Sequence, residues 1–319
     1  MLESKNKIFN HFKIHTQYSI CEGAVKIDEL KDFCKKNKIT CVGLSDTSNL
    51  CGALEFSEHI SKVGTQPIIG TQIIFKYKDD MGLLSLIAKN ENGYKRIIEL
   101  SSKSFLDNDN LNDPHCNFED LLNKNEGFII LSGGINGLLG KLFNKAKNEE
   151  IEEIYKKLSQ NYNDNFYIEI QRHGDQNEKS FEIFNLNQSK KLNIPIIASH
   201  EVYYIDQSMF EAHDALMCIG SKTYLNVKNR VKLSDQHYFK SGEEMKKTFS
   251  DLPEALENNY NLPFRCSFRP LPSKPILPNI SSEKGTNAEQ LLVKESQEGL
   301  VQKFVNIFGK QKNELHNDN

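Results

Sequence analysis

Between residues 9 and 219, short apolar runs alternate with longer stretches of helical period, and that alternation limits the chain to few architectures. The strand-like runs are FNHFKIH (9–15), TCVGLS (40–45), PIIGTQIIFK (67–76), LLSLIA (83–88), GFIILS (127–132), FYIEIQ (166–171) and IPIIAS (194–199). They are rich in β-branched and aromatic residues. Helices are predicted over 26–37, 50–62, 93–103, 136–160, 178–192 and 206–219. In GYKRIIELSSKS, Tyr94, Ile97, Ile98 and, less strictly, Leu100 share a face, while Lys95, Arg96 and Glu99 fall mostly on another. Such alternation argues for a parallel α/β sheet, either open and doubly wound or closed into a barrel. No G-x-G-x-x-G follows the first strand, which weakens the dinucleotide-binding version. The glycines of SGGINGLLG (132–140) lack the Lys-Ser/Thr of a phosphate loop and read as a turn and helix start.

A barrel carries its functional side chains at the C-terminal ends of its strands. Polar residues fall there: His15, Asp46, Gln72 (within the third strand), Arg172, His173, His200 and Glu201. A catalytic zinc or multi-metal site needs several His and carboxylate ligands converging on one pocket. The candidates are His11, His15, Asp46, His173, His200 and Glu201. Regular alternation puts His11, Lys13 and His15 on one strand face. Lys13 works against a metal there, because an ammonium has no lone pair and repels a cation. It would instead pair with Asp46 or another pocket carboxylate. Spacing alone leaves open whether these residues form a site or are ordinary polar strand ends. Asp46, in LSDTSNLCGALEF, also reads as a cap for the following helix. His59, His115, His213 and His237 read as surface or core-edge residues.

The formal net charge of −3 gives no bulk field toward nucleic acid and leaves only a local basic face. With 38% hydrophobic and 26% charged residues, the chain has the balance of a folded globular protein rather than a disordered one. The seven Cys (21, 34, 41, 51, 116, 218 and 266) include no C-x-x-C pair, which argues for reduced thiols over a disulfide framework or a zinc knuckle. MLESKNKIFNHF lacks the apolar core of a signal peptide, and no run approaches the ~18 apolar residues of a membrane span. A cytoplasmic location without a membrane partner is expected. From about residue 262 the chain reads LPFRCSFRPLPSKPILPNISS, and proline at this density favours an extended connector. A last helix is predicted over 286–308, with an apolar stripe of Leu291, Leu292, Leu300, Phe304 and Phe308. Left uncovered, that stripe predicts fraying or self-association. The expected division is a barrel domain over 1–262, a Pro-rich linker over 263–285 and the start of a further region over 286–319.

Six stretches, in order, carry a resemblance: FNHFKIHTQYSICEGAVKIDEL, VGLSDTSNLCGALEFSE, QPIIGTQIIF, LSLIAKNENGYKRIIELSS, FYIEIQRHG and IPIIASHEVYYIDQSMFEAHDALMCIGSK. Together they resemble the PHP (polymerase and histidinol phosphatase) domain, in the form that opens the alpha subunit of bacterial DNA polymerase III, a replicative C-family polymerase. RCSFRPLPSKPILPNISSEKG resembles the passage from that domain toward the polymerase palm. The resemblance runs over roughly residues 9 to 300. It implies a distorted (β/α)7 TIM-like barrel with a metal pocket at the strand ends. It implies His-x-His at the end of the first strand of metal-bearing members, where this chain has Lys13-Ile14-His15. Asp-His of the second motif is Asp46-Thr47 here, and the Glu after the Ile-Gly pair of the third strand is Gln72. Asp-His after FYIEIQ is Arg172-His173, and the late Asn-Asp-x-His is His200-Glu201-Val202-Tyr203. His15, Asp46 and His173 match, and Glu201 is a conservative replacement.

Lost imidazoles and added cations both work against a divalent ion. The expectation is therefore a vestigial pocket of Lys13, His15, Asp46, Gln72, Arg172, His173 and Glu201, with no catalytic residue and no tightly held metal. Lys13 and Arg172 are expected to pair with Asp46 and Glu201. The resemblance further implies a structural role and docking of the proofreading exonuclease subunit, epsilon, within the polymerase III holoenzyme. DNA-directed DNA synthesis in the whole subunit uses magnesium held by palm carboxylates beyond Asn319. The chain is accordingly expected to be an N-terminal fragment, a nucleotidyltransferase only with its missing regions, through which DNA would be met. The alternative is an active metal-dependent PHP phosphoesterase (phosphatase, pyrophosphatase or exonuclease) using His15, Asp46, His173 and Glu201. A free-standing barrel hydrolase is disfavoured by the C-terminal linker and apolar helix.

Overall fold

The computed structural model describes residues 7–108, 114–122, 126–275 and 287–314. The apolar runs become strands β1 (His11–Ile14), β2 (Cys41–Thr47), β3 (Gln66–Tyr77), β4 (Asp80–Ala88), β5 (Cys116–Asn117), β6 (Phe128–Leu131), β7 (Phe166–Ile170), β8 (Ile196–Ala198) and β9 (Glu201–Val202). They form one sheet in the order β8-β7-β6-β4-β3-β2-β1-β9, with β5 beside β3. The strands at the two ends of that order are joined by residues 199 and 200 alone. A link of that length spans at most about 11 Å. The sheet must therefore curl its edges back toward each other, giving the distorted TIM-like barrel expected.

The sheet is not wholly parallel. β4 runs antiparallel to both β3 and β6. Lys78 and Asp79 alone connect β3 to β4, with Lys78 at φ 53°, and a link of two residues makes a hairpin but no crossover. The helix predicted over 136–160 is two helices, Leu138–Asn144 and Asn148–Tyr162. Ala146 stands at φ 57° between them, and Lys145 and Lys147 both reach Asp80, at 2.5 and 2.6 Å. The two ion pairs fix the break that local periodicity does not reveal.

Helices Ile27–Asn37 (α1) and Ala53–Ser61 (α2) cover β1, β2 and part of β3, burying Leu30, Phe56 and Ile60 against Val42 and Leu44. The remaining strands are covered by helices that include Glu91–Leu106, Asn148–Tyr162 and Glu178–Leu192. Inside the barrel, Phe12, Cys41, Ile68, Ile87, Ile129, Tyr167 and Ile197 pack together, one from each of seven strands. Leu262 and Cys266 join them from the segment after the helix Pro253–Asn261. Gln66, at the start of β3, donates to the carbonyls of Pro263 and Cys266. The N-terminal end of the barrel is thus plugged.

Residues 263–271, expected as linker, belong to the barrel. Ser57 donates to Pro270 O at 2.7 Å, and Phe268 packs on Tyr94. The two compact units are Met1–Leu271 and Pro272–Asn319, so the boundary falls nine residues after the one expected at 262/263. The second unit contains the helix Ala288–Glu314, begun by Asn287, whose side chain accepts from Gln290 N. Of its expected apolar stripe, Leu292, Leu300, Phe304 and Phe308 are exposed and Leu291 is half-buried; residues 276–285 of the expected linker lie outside the described residues. All seven cysteines are free. No helix among the described residues is long and apolar enough to cross a membrane.

Candidate functional site

A bulge in β1 decides which side chains enter the barrel. His11 lies opposite Val42 and Ile14 opposite Leu44, so three steps along β1 match two along β2. One extra residue breaks the alternation of faces. Gly43 makes room for it, since a Cβ there would lie 2.5 Å from Phe12 O. His11 consequently turns outward, with its ring 4.2 Å from Phe239 and its Nε2 on Lys240 O. Phe12 enters the apolar interior, and Lys13 stands above it. His11 therefore does not share a face with Lys13 and His15, contrary to regular alternation.

The Lys13 side chain is 1% exposed, and its Nζ lies 2.5 Å from Glu201 Oε1 and 3.1 Å from Glu169 Oε1. Burial opposes the ammonium, but the two carboxylates outweigh it and raise the lysine pKa. Burial likewise opposes the Glu201 charge, yet Lys13 and His15 hold its carboxyl well below the usual range. Gln72 Nε2 donates to Glu201 Oε1 at 3.1 Å, and the Tyr203 hydroxyl donates to Oε2 at 3.1 Å. Glu169 also accepts from Gly133 N and Gln171 Nε2. Of the two expected partners, Glu201 meets Lys13 and Asp46 does not.

Asp46 closes the turn after β1 instead. Its carboxylate accepts from Thr16 N, Thr16 Oγ1 and Ser19 Oγ, each at 2.7 Å. Burial pushes its pKa up and these donors pull it back only in part. It does not cap the helix that follows, whose N-cap is Gly52. Arg172 leaves the pocket altogether. Its guanidinium bridges Glu182 and Asp251 at 2.5 and 2.6 Å, stacked over Phe249. The pairs expected between Arg172 and pocket carboxylates do not form, because β7 ends at Ile170 and the chain there turns outward toward the helix Glu178–Leu192.

The imidazoles collect on the other side of Glu201. His173 lies stacked 4.1 Å from His237 and 4.5 Å from His200. Its Nε2 accepts from Glu201 N at 3.1 Å, which leaves the proton on Nδ1, facing Glu178 at 3.3 Å. His15 stacks on Tyr203 at 4.2 Å, and its Nε2 accepts from Gln72 at 3.1 Å. Burial lowers the pKa of both His11 and His15 to about 4. His200 Nε2 donates to Tyr238 O at 3.0 Å, which places its proton on Nε2.

Sequence reasoning missed Glu169, Asp175 and His237. Glu169 carries a readable signal: it shares the inward parity of Tyr167 within an otherwise apolar strand. His237 carries none, since its segment is brought in from beyond the barrel strands. Of the surface or core-edge reading given to it, the surface half fails, because it is 2% exposed. His173, Asp175 and His237 place ligand atoms within 4.8 Å of one another, a possible cation site among the described residues. The hydrogen bonds do not favour it, because the Nε2 lone pair of His173 is already engaged by Glu201 N–H. At the centre of the pocket the fit is worse still, with an ammionium-bearing side chain, Lys13, against both inward carboxylates. A cavity of about 600 Å³ opens above, lined by Lys13, Gln72, Asp175, Glu201, Tyr203 and His237 among others.

The PHP domain family model matches residues 11–173, just over half of the chain. DNA polymerase III subunit alpha of Caulobacter vibrioides is 34% identical over 320 residues, covering 96% of this chain and 28% of the relative. The subunit of the same name from Rickettsia conorii is 36% identical over 311 residues, covering 97% of this chain and 26% of the relative. That from Borreliella burgdorferi is 35% identical over 324 residues, covering 95% and 28%. The chain spans about a quarter of the length of these curated relatives.

Proposed function

The chain belongs to the PHP domain family, and from that premise we propose that it serves as the non-catalytic PHP portion of a DNA polymerase III alpha subunit. In this reading its pocket is held together by side chains in place of metal. Its work is to support the polymerase regions and to dock the proofreading exonuclease subunit, in the cytoplasm. DNA synthesis belongs to the whole subunit. One observation carries the reading: the Lys13 ammonium sits 2.5 Å from Glu201 and 3.1 Å from Glu169, so a fixed cation already neutralises the carboxylates that a metal would need.

A second reading has its own observation. The ligand atoms of His173, Asp175 and His237 converge within 4.8 Å, which supports a residual metal-dependent phosphoesterase. It requires His173 to release Glu201 N–H or Glu178. Metal analysis of the purified, dialysed chain by plasma mass spectrometry separates the two. Substoichiometric zinc, manganese and iron is the expected result, with uptake rising in Lys13→His. One tightly held metal per wild-type chain, lost in His237→Ala, would overturn the proposal and leave the phosphoesterase reading in its place.

A further inference from the structure

Exposed apolar side chains scattered singly need no explanation, whereas a cluster marks an interface. One cluster lies beside the mouth of the pocket. Ile219 ends the helix Phe210–Gly220, and Tyr224, Leu225, Val227 and Val231 follow it; these five are between 41% and 76% exposed. Ile20, at 82%, lies close to them in the fold, because Gly220, next to Ile219, packs directly against its chain neighbour Cys21.

The segment is held in place and not loosely draped. Arg230 pairs with Asp214 through both terminal nitrogens, at 2.5 and 2.6 Å. Lys232 lies over the Phe210 ring, and Ser234 donates to His173 O. Backbone turns close at Thr223 and Val227. The apolar side chains therefore stay exposed on a fixed frame.

Charge indicates the kind of occupant. Residues 221–233, SKTYLNVKNRVKL, contain Lys222, Lys228, Arg230 and Lys232 and no carboxylate, in a chain of net charge −3. Asp214 neutralises Arg230, and the ion pairs among the described residues leave the three lysines to the solvent side. A nucleic-acid strand would want several aromatic platforms, and Tyr224 is the one aromatic residue in this run. Aliphatic anchors ringed by cations suit a protein segment instead. We propose that the surface formed by Ile20, Ile219 and residues 224–231 docks a protein segment whose apolar side chains are flanked by carboxylates. This rests on the docking reading above, which makes the exonuclease subunit the source of that segment.

The test uses the purified exonuclease subunit as probe, titrated calorimetrically into the wild-type chain and three variants. Val227→Asp/Val231→Asp should weaken binding at least ~30-fold with an unchanged unfolding midpoint. Lys222→Glu/Lys228→Glu should weaken it about 5–10-fold and flatten its salt dependence. Ile183→Asp, on an exposed position of the helix Glu178–Leu192, should bind as wild type. If the wild type binds and Val227→Asp/Val231→Asp binds equally, the surface assignment falls while docking stands. If the wild type does not bind the subunit, the docking reading falls and the surface loses its partner. If instead a 20-nucleotide single strand binds and the same variant abolishes it, the occupant is nucleic acid and the proposal is overturned.

Discussion

The barrel interior has two halves that hold together in different ways. Near the N-terminal strand ends, Phe12, Ile68, Ile129 and Ile197 pack as an apolar plug closed by Leu262 and Cys266. At the C-terminal ends the same volume is filled by Lys13, Glu169, Glu201, Gln72 and a stack of imidazoles. In the apolar half each side chain contributes through its own buried surface, and removing one leaves no neighbour with an unpaired charge. In the polar half each charge is tolerable only because its partner is present. Removing one member there should cost more than removing the set.

The largest effect tests that contrast directly. Lys13→Met leaves Glu169 and Glu201 buried without their cation, and should destabilise by about 3–5 kcal/mol. Combining it with Glu169→Gln and Glu201→Gln should restore most of the loss, measured by urea unfolding. If the triple variant is no better than the single, the charges of the polar half do not depend on their partners and the contrast fails. Ile197→Ala should cost somewhat less, about 2–4 kcal/mol, and no neighbouring substitution to a polar residue should rescue it.

Acid sharpens the difference. His11 and His15 titrate near 4 in the folded chain against a reference of 6.5. The unfolded chain therefore binds protons first as pH falls, and stability drops between about 6.5 and 4. Above that window both states are neutral and the histidines contribute nothing to the slope. By pH 5 each should have cost about 2 kcal/mol. Glu201 acts lower, because its depressed pKa contributes stability above the unfolded carboxylate range that is lost as pH falls through the folded value. Unfolding midpoints at pH 7, 6 and 5 should fall progressively. His15→Gln should flatten that dependence, and Ile197→Ala should leave it unchanged.

The apolar half was far more legible in the sequence than the polar one. Seven strand runs read from period and β-branching all form strands, because a buried strand must repeat its apolar residues locally. The bulge at Phe12 is set by Gly43 on a neighbouring strand, and one inserted residue was enough to turn His11 away from Lys13. Position at a strand end placed His15, Asp46, His173 and Glu201 in or beside the pocket, but not their partners. The Lys13 pairing to a carboxylate was readable from charge alone. Which carboxylate depends on parity within β7, where Glu169 points inward and the residues after Ile170 do not.

Arg172 gives the smallest effect and the closest control. Like Lys13 it is a cation at a strand end, and both bind two carboxylates. Its side chain is 22% exposed, however, and Asp251 is 62% exposed, so water shares the charge. Arg172→Ala should cost about 1 kcal/mol, chiefly by loosening the helix Glu178–Leu192 from the segment around Asp251. Because the guanidinium points away from Glu201, metal uptake by Lys13→His should be the same with or without Arg172→Ala. A rise in uptake caused by Arg172→Ala alone would mean that its charge reaches the pocket, and the separation between the inner and outer cations would then be one of degree.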